Sequence, residues 1–134
     1  MAKDATSKKS PWVFIVEDDV FINKAYSAKF AHEGIEVKIA EDGEKALEML
    51  AKGETPTLIL LDLMLPKKSG FEVLEEIKKD PRLKDIPVLI LTNLAQELDA
   101  NRGLSMGAKE YLIKTDLRIE DLVNKVKQYL ESSK

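Results

Sequence analysis

The sequence predicts an α/β fold, a doubly wound five-stranded parallel sheet, from three observations. First, Trp12 to Val16, Leu58 to Leu61 and Val88 to Leu91 are short runs without a polar interruption, the pattern of strands buried on both faces. Second, strand signals starting near residues 12, 36, 58, 88 and 110 alternate with segments of helical periodicity. Regular alternation favours a parallel sheet covered by helices on both sides and joined by right-handed crossovers. Third, these strands stop abruptly at polar groups: Glu17, Asp18 and Asp19 after the first, Asp62 after the third, Thr92 at the end of the fourth.

Taken in order, residues 1–10 are small, polar and Lys-rich, and read as a disordered leader or an expression remnant ahead of a folded unit spanning 11–134. Trp12 to Val16 is the first strand. From Val20 to Glu33 the residues Phe21, Ala25, Ala28 and Phe30 recur at roughly helical spacing and are expected to face inward, with Gly34 as the stop. Glu36 to Ala40 alternates Val37 and Ile39 with charged neighbours, as a strand near a sheet edge does. Asp42 can cap a helix with the apolar face Ala46, Leu47, Met49 and Leu50, ending at Gly53. The third strand and its loop lead to a helix from Gly70 to Lys79, closed before Asp80-Pro81. The segment Leu94 to Ser105 contains Asn101 and Gly103 and predicts a short or mobile helix. Tyr111 to Lys114 is the fifth strand, and Leu117 to Leu130 an amphipathic helix with Leu122, Val123, Val126 and Leu130 inward.

At 134 residues, with 44% hydrophobic and 34% charged residues, the chain fits one domain, and a net charge of -3 singles out no partner by sign, so direct nucleic-acid binding is not favoured. No apolar run approaches the ~20 residues of a membrane span and no signal-peptide core is visible, so a cytoplasmic protein without membrane contact is expected. The absence of Cys excludes disulfides, thiolate zinc sites and thiol nucleophiles, and the single His32 falls at a helix end as a surface residue.

Parallel strands share a direction, so Glu17, Asp18, Asp62, Thr92 and Lys114 are expected to converge at the carboxyl edge of the sheet, where such folds place ligands. Acids from two strand ends suit a hard divalent cation, Mg²⁺ better than Ca²⁺. Phosphoryl transfer depends on positioning and charge neutralisation. Asp62 therefore reads as a nucleophile that can form an acyl phosphate, Lys114 as a second cation for the phosphoryl oxygens, and the Thr92 hydroxyl as a hydrogen-bond donor to one of them. Singly, each has a plainer reading: a turn-forming Asp, a structural Thr, a solvated Lys. Jointly, complementary charge at one edge is what a phosphoryl site requires.

Val16-Glu17-Asp18-Asp19, Leu61-Asp62-Leu63-Met64-Leu65-Pro66 with Gly70, Leu91-Thr92 and Gly107-Ala108-Lys109-Glu110-Tyr111-Leu112-Ile113-Lys114 resemble the receiver domain of two-component response regulators, over about residues 11 to 132. The resemblance implies a flavodoxin-like (βα)5 sheet of strand order 2-1-3-4-5. It implies that Asp62 accepts a phosphoryl group from a sensor histidine kinase or phosphotransfer protein. Mg²⁺ would be held by Glu17, Asp18, Asp62 and the backbone carbonyl of Met64. Thr92 and Tyr111 match the switch pair, Lys114 the lysine that contacts the phosphoryl group. Residues 95 to 131 match the surface that binds a downstream output protein, with the domain a monomer or a phosphorylation-dependent dimer.

Two positions depart from the family pattern. Thr115 follows Lys114 where Pro is usual, and a trans bond is expected because a non-proline cis bond costs ~2.5 to 4 kcal/mol. Asn93 replaces a small residue after Thr92 and is expected to screen the phosphoryl group from water. Three other readings stay open. A receiver excised from a longer regulator has the same sequence features. An aspartate-nucleophile phosphatase shares the topology, but usually has a second Asp where this chain has Met64. A flavodoxin-like cofactor binder would need hydroxyl-rich phosphate loops where this chain has acids.

Overall fold

The computed structural model describes residues 10–132. Of the expected leader, only Ser10 lies inside that range. Five strands, β1 (Trp12–Val16), β2 (Glu36–Ala40), β3 (Leu58–Leu61), β4 (Val88–Thr92) and β5 (Glu110–Ile113), alternate with α1 (Val20–His32), α2 (Gly43–Lys52), α3 (Gly70–Lys79), α4 (Glu97–Ser105) and α5 (Ile119–Ser132). The strands lie in the order β2-β1-β3-β4-β5, and every adjacent pair is parallel. The three apolar runs occupy the centre, as predicted, and β2 forms one edge.

Strand pleating divides the core in two. Trp12, Phe14 and Val16 point to one face, where they pack with Ala46 and Leu50 of α2 and with Phe71, Leu74 and Ile77 of α3. Val13 and Ile15 point to the other, against Phe30 of α1 and Leu122, Val126 and Leu130 of α5. A central strand covered on both faces has no side for polar residues, which is why its sequence is uninterrupted. Asp42 caps α2 through its side chain, and α3 starts with a reciprocal box between Ser69 and Glu72.

Helix α1 departs from its predicted face. Phe21 is 81% exposed and Ala25 and Ala28 also face solvent, whereas Phe30 is fully buried beside Asn23 and the edge-on ring of Tyr26. The inner stripe is Asn23, Tyr26 and Phe30, spaced by three and four residues. Because two of its three members carry polar atoms, the apolar residues alone give the helix no phase. The ends of other elements move by a few residues. α4 begins at Glu97, not Leu94, and Lys114 opens a 3-10 turn (Lys114–Asp116) instead of closing β5. No cis peptide occurs among the described residues, consistent with the expectation for Thr115.

The two phenylalanines separate the faces of α1 experimentally. Phe30→Ala should cost about 3 to 5 kcal/mol in urea unfolding, whereas Phe21→Ala should stay within about 0.5 kcal/mol of the parent. Equal losses would refute the assignment.

Candidate functional site

The strand ladders themselves carry the acids into place. The amide of Glu17 donates to the Ala40 carbonyl at 3.0 Å, and that of Asp62 to the Val16 carbonyl at 3.0 Å, so both residues continue the backbone pairing past the ends of β1 and β3. Their side chains are buried, with Glu17 3% and Asp62 5% exposed, while Asp18 is exposed at the rim. Carboxylate oxygens of Glu17, Asp18 and Asp62 lie within 4.8 Å of one another.

Lys114 reaches this cluster from the far side of the sheet. Its ammonium donates to Glu17 Oε1 and, at 2.7 Å, to Asp62 Oδ2. Burial alone would lower the Lys114 pKa, but the hydrogen bonds it donates to Asp62 and Glu17 outweigh it and hold the group above the usual ammonium range. Burial pushes the Glu17 carboxyl up, and Lys114, shared with Asp62, only partly counters it. The other oxygens are also engaged. Asp62 Oδ1 accepts from the Met64 amide at 3.1 Å, and Glu17 Oε2 accepts from the Asp19 amide at 2.9 Å.

Three carboxylates against one ammonium leave surplus negative charge in a partly buried pocket. All its side-chain donors are hard oxygens, so the residues present fit Mg²⁺, which takes few protein oxygens and retains water. The Asp19 carboxylate takes no part in this cluster. Its Oδ1 caps α1 by accepting from the amides of Phe21 and Ile22 at 2.8 and 3.0 Å.

Thr92 is fully buried at the end of β4, its Oγ1 accepting from the Leu94 amide at 3.3 Å. On β5, the Tyr111 hydroxyl donates to the carbonyl of that same Leu94. Tyr111 also packs along Gly103, where an added Cβ would lie 3.4 Å from its ring. The sequence-predicted residues Glu17, Asp18, Asp62 and Lys114 are therefore brought together, and Thr92 and Tyr111 are joined through Leu94. For Met64, the contact present is its amide with Asp62, and its side chain projects into solvent.

Sequence reasoning missed two supporting residues, Asn23 and Tyr26, and gave a third, Gly70, no role beyond its place in the resemblance. Asn23 donates through Nδ2 to the Glu17 carbonyl at 2.7 Å, fixing the turn out of β1. Tyr26 shares the lining of a small void beside the acids with Glu17 and Asp62. Gly70 abuts the backbone of Asp62 and Leu63 so closely that any Cβ would collide with the Asp62 carbonyl. Of these, only the glycine left a signal in the sequence.

The family model of the response regulator receiver domain matches residues 13–127. The chain is 40% identical over 120 residues to a DNA-binding dual master transcriptional regulator of Synechocystis sp., a match covering 90% of this chain and 49% of the relative. It is 35% identical over 122 residues to a gliding motility regulatory protein of Myxococcus xanthus, covering 91% of this chain and 16% of the relative. The chain thus spans about half or less of these relatives. Among solved structures, the receiver domain of the Francisella response regulator 1452 superposes with a TM-score of 0.82 at 30% identity, covering 92% of this chain and 99% of that one. A CheY-like receiver domain protein from Methanospirillum hungatei gives 0.82 at 28% identity, covering 92% and 96%.

Removing the bridging ammonium tests the electrostatics. Lys114→Met leaves Glu17 and Asp62 facing each other unpaired and should destabilise the metal-free protein by about 3 kcal/mol. Added Mg²⁺ should raise the melting temperature of the variant more than that of the parent. An unchanged metal-free stability would contradict a charge-bearing role for Lys114.

Proposed function

Because the chain belongs to the response regulator receiver domain family of two-component signalling, we propose that it is a phosphorylation-controlled switch whose phosphoacceptor is Asp62. The observation that carries this reading is the meeting of Glu17, Asp18, Asp62 and Lys114, distant in sequence, in one cluster at the carboxyl edge of the sheet.

In this reading an Asp62 carboxylate oxygen attacks the phosphorus of a phosphohistidine on a sensor kinase or phosphotransfer protein. The new O–P bond makes an acyl phosphate, the P–N bond breaks, and its electron pair returns to the imidazole. Glu17, Asp18, Asp62 and the Met64 carbonyl would hold Mg²⁺, which would supply positive charge to the phosphoryl oxygens when bound. Lys114, already at Asp62, exchanges a carboxylate contact for a phosphoryl contact and keeps its charge throughout, as its raised pKa favours. The Thr92 hydroxyl accepts from Leu94 and retains its own proton for donation to a phosphoryl oxygen. Reorientation of Thr92 releases the Leu94 amide and changes the footing of Tyr111, which links the site to β5 and α4.

The output surface is read as α4, β5 and α5, within residues 95 to 131. Leu98 on α4, 79% exposed, offers an apolar contact to an output protein there. The reading gives this domain no nucleic-acid contact of its own, although the Synechocystis relative is described as DNA-binding. It also includes no turnover of an external substrate, since Met64 stands where a phosphatase general acid would be required. No helix among the described residues is long and apolar enough to cross a membrane.

Two measurements test the proposal. With acetyl phosphate and Mg²⁺, the parent should gain one acid-labile phosphoryl group detectable by mass spectrometry and Asp62→Asn none; full labelling of the variant would remove Asp62 from its role. Asn93, exposed beside Thr92, is read as a screen against water. Asn93→Ala should shorten the acyl-phosphate lifetime several-fold, and equal decay rates would dispose of that part.

A further inference from the structure

The inner stripe of α1 meets Glu17 twice. Asn23 holds the Glu17 carbonyl through Nδ2 at 2.7 Å, and Tyr26 follows three residues later on the same face. Side chains on a helix lean toward its N-terminus, and α1 starts at the acid edge of the sheet, so the Tyr26 phenol leans back toward the pocket. Its ring is held edge-on to Phe30, 6.3 Å between centroids, and lines one small void with Glu17 and Asp62. Burial raises the Tyr26 pKa, and Lys114, Glu17 and Asp62 each act on it in turn, as suits a hydroxyl beside the charged cluster. The void is too narrow to admit a water, so no solvent bridge joins phenol and carboxylates across it.

The hydroxyl itself is idle: among the described residues it makes no hydrogen bond. The carboxylate oxygens across the void already have donors. Lys114 serves Glu17 Oε1 and Asp62 Oδ2, the Asp19 amide serves Glu17 Oε2, and the Met64 amide serves Asp62 Oδ1. A divalent ion among the three acids changes this, because it repels the ammonium that bridges two of them. Lys114 follows the phosphoryl group carried by Asp62, so Glu17 is the contact it gives up. A buried carboxylate that loses its donor calls for another. The remaining side chains on the void, Ile15, Val16, Leu60 and Leu91, are aliphatic and have none to offer.

We propose, resting on the metal and phosphoryl reading above, that Tyr26 is a positioning residue of the pocket: when Mg²⁺ binds, its hydroxyl takes over from Lys114 on Glu17 and holds that carboxylate toward the ion. Carboxylates that ligate metals are themselves held by hydrogen bonds from behind, and removing such a partner weakens metal binding 10- to 100-fold. Asn23 and Tyr26 then share one task, the first fixing the main chain of Glu17 and the second its side chain.

Tyr26→Phe keeps the ring and deletes only the hydroxyl. The urea midpoint of the metal-free variant should equal that of the parent, because the hydroxyl has no partner to lose. Calorimetric titration with MgCl₂ should show the variant binding about tenfold more weakly. With the three tyrosines labelled at ¹³Cζ, the signal missing from the variant identifies Tyr26. That signal should move saturably with Mg²⁺, whereas the signal of Tyr129, bonded to Glu110, should stay. Equal Mg²⁺ affinity in parent and variant, an unmoved Tyr26 signal at saturation, or a lowered metal-free midpoint would each overturn the role of Tyr26 and leave the metal site standing. A parent that takes up no Mg²⁺ would overturn the metal reading itself, and this role with it.

Discussion

The bridge from Lys114 to Glu17 and Asp62 is the constraint around which this fold is built. Two buried carboxylates repel each other and lose hydration, a cost that no aliphatic packing compensates. One ammonium shared between them makes the pocket tolerable, and it arrives from the turn after β5, three positions away from β1 in the sheet. Such a reach needs a rigid base. The fully apolar central strands provide it, and the amides of Glu17 and Asp62 extend their ladders to the site.

This arrangement also supports the proposal that a cation and a phosphoryl group share the pocket. The metal-free site already carries more acid than base, so a divalent ion corrects an imbalance. In the proposed function, a phosphoryl group would find positive charge on two sides and a buried hydroxyl at the end of β4. No new fold element is required; the chemistry is set by which side chains terminate the strands.

Much of this was legible in the residues. Uninterrupted aliphatic runs can only be strands covered on both faces, and the acids and hydroxyl at their ends follow from where the runs stop. Strand order came from the resemblance of motifs, since periodicity alone does not order strands. The inner face of α1 was not legible because Asn23 faces the Glu17 carbonyl and Tyr26 the edge of the acid pocket, and polar residues on a helix are ordinarily assigned to solvent. Nor could periodicity reveal that Lys114 leaves β5 and opens a 3-10 turn, since strand ends are set by hydrogen bonding and not by side-chain character.

Leu94 packs its side chain against the core and lends both of its peptide groups to the site's neighbours. Its N–H is held by Thr92 and its C=O by Tyr111, so a single residue is grasped from two strands at once. In the proposed switch, a hydroxyl that lets go of one end loosens the anchor of the other, so the two events are coupled. In the proposed reading, a domain wired in this manner responds in steps, carrying something closer to a single bit than to a graded signal.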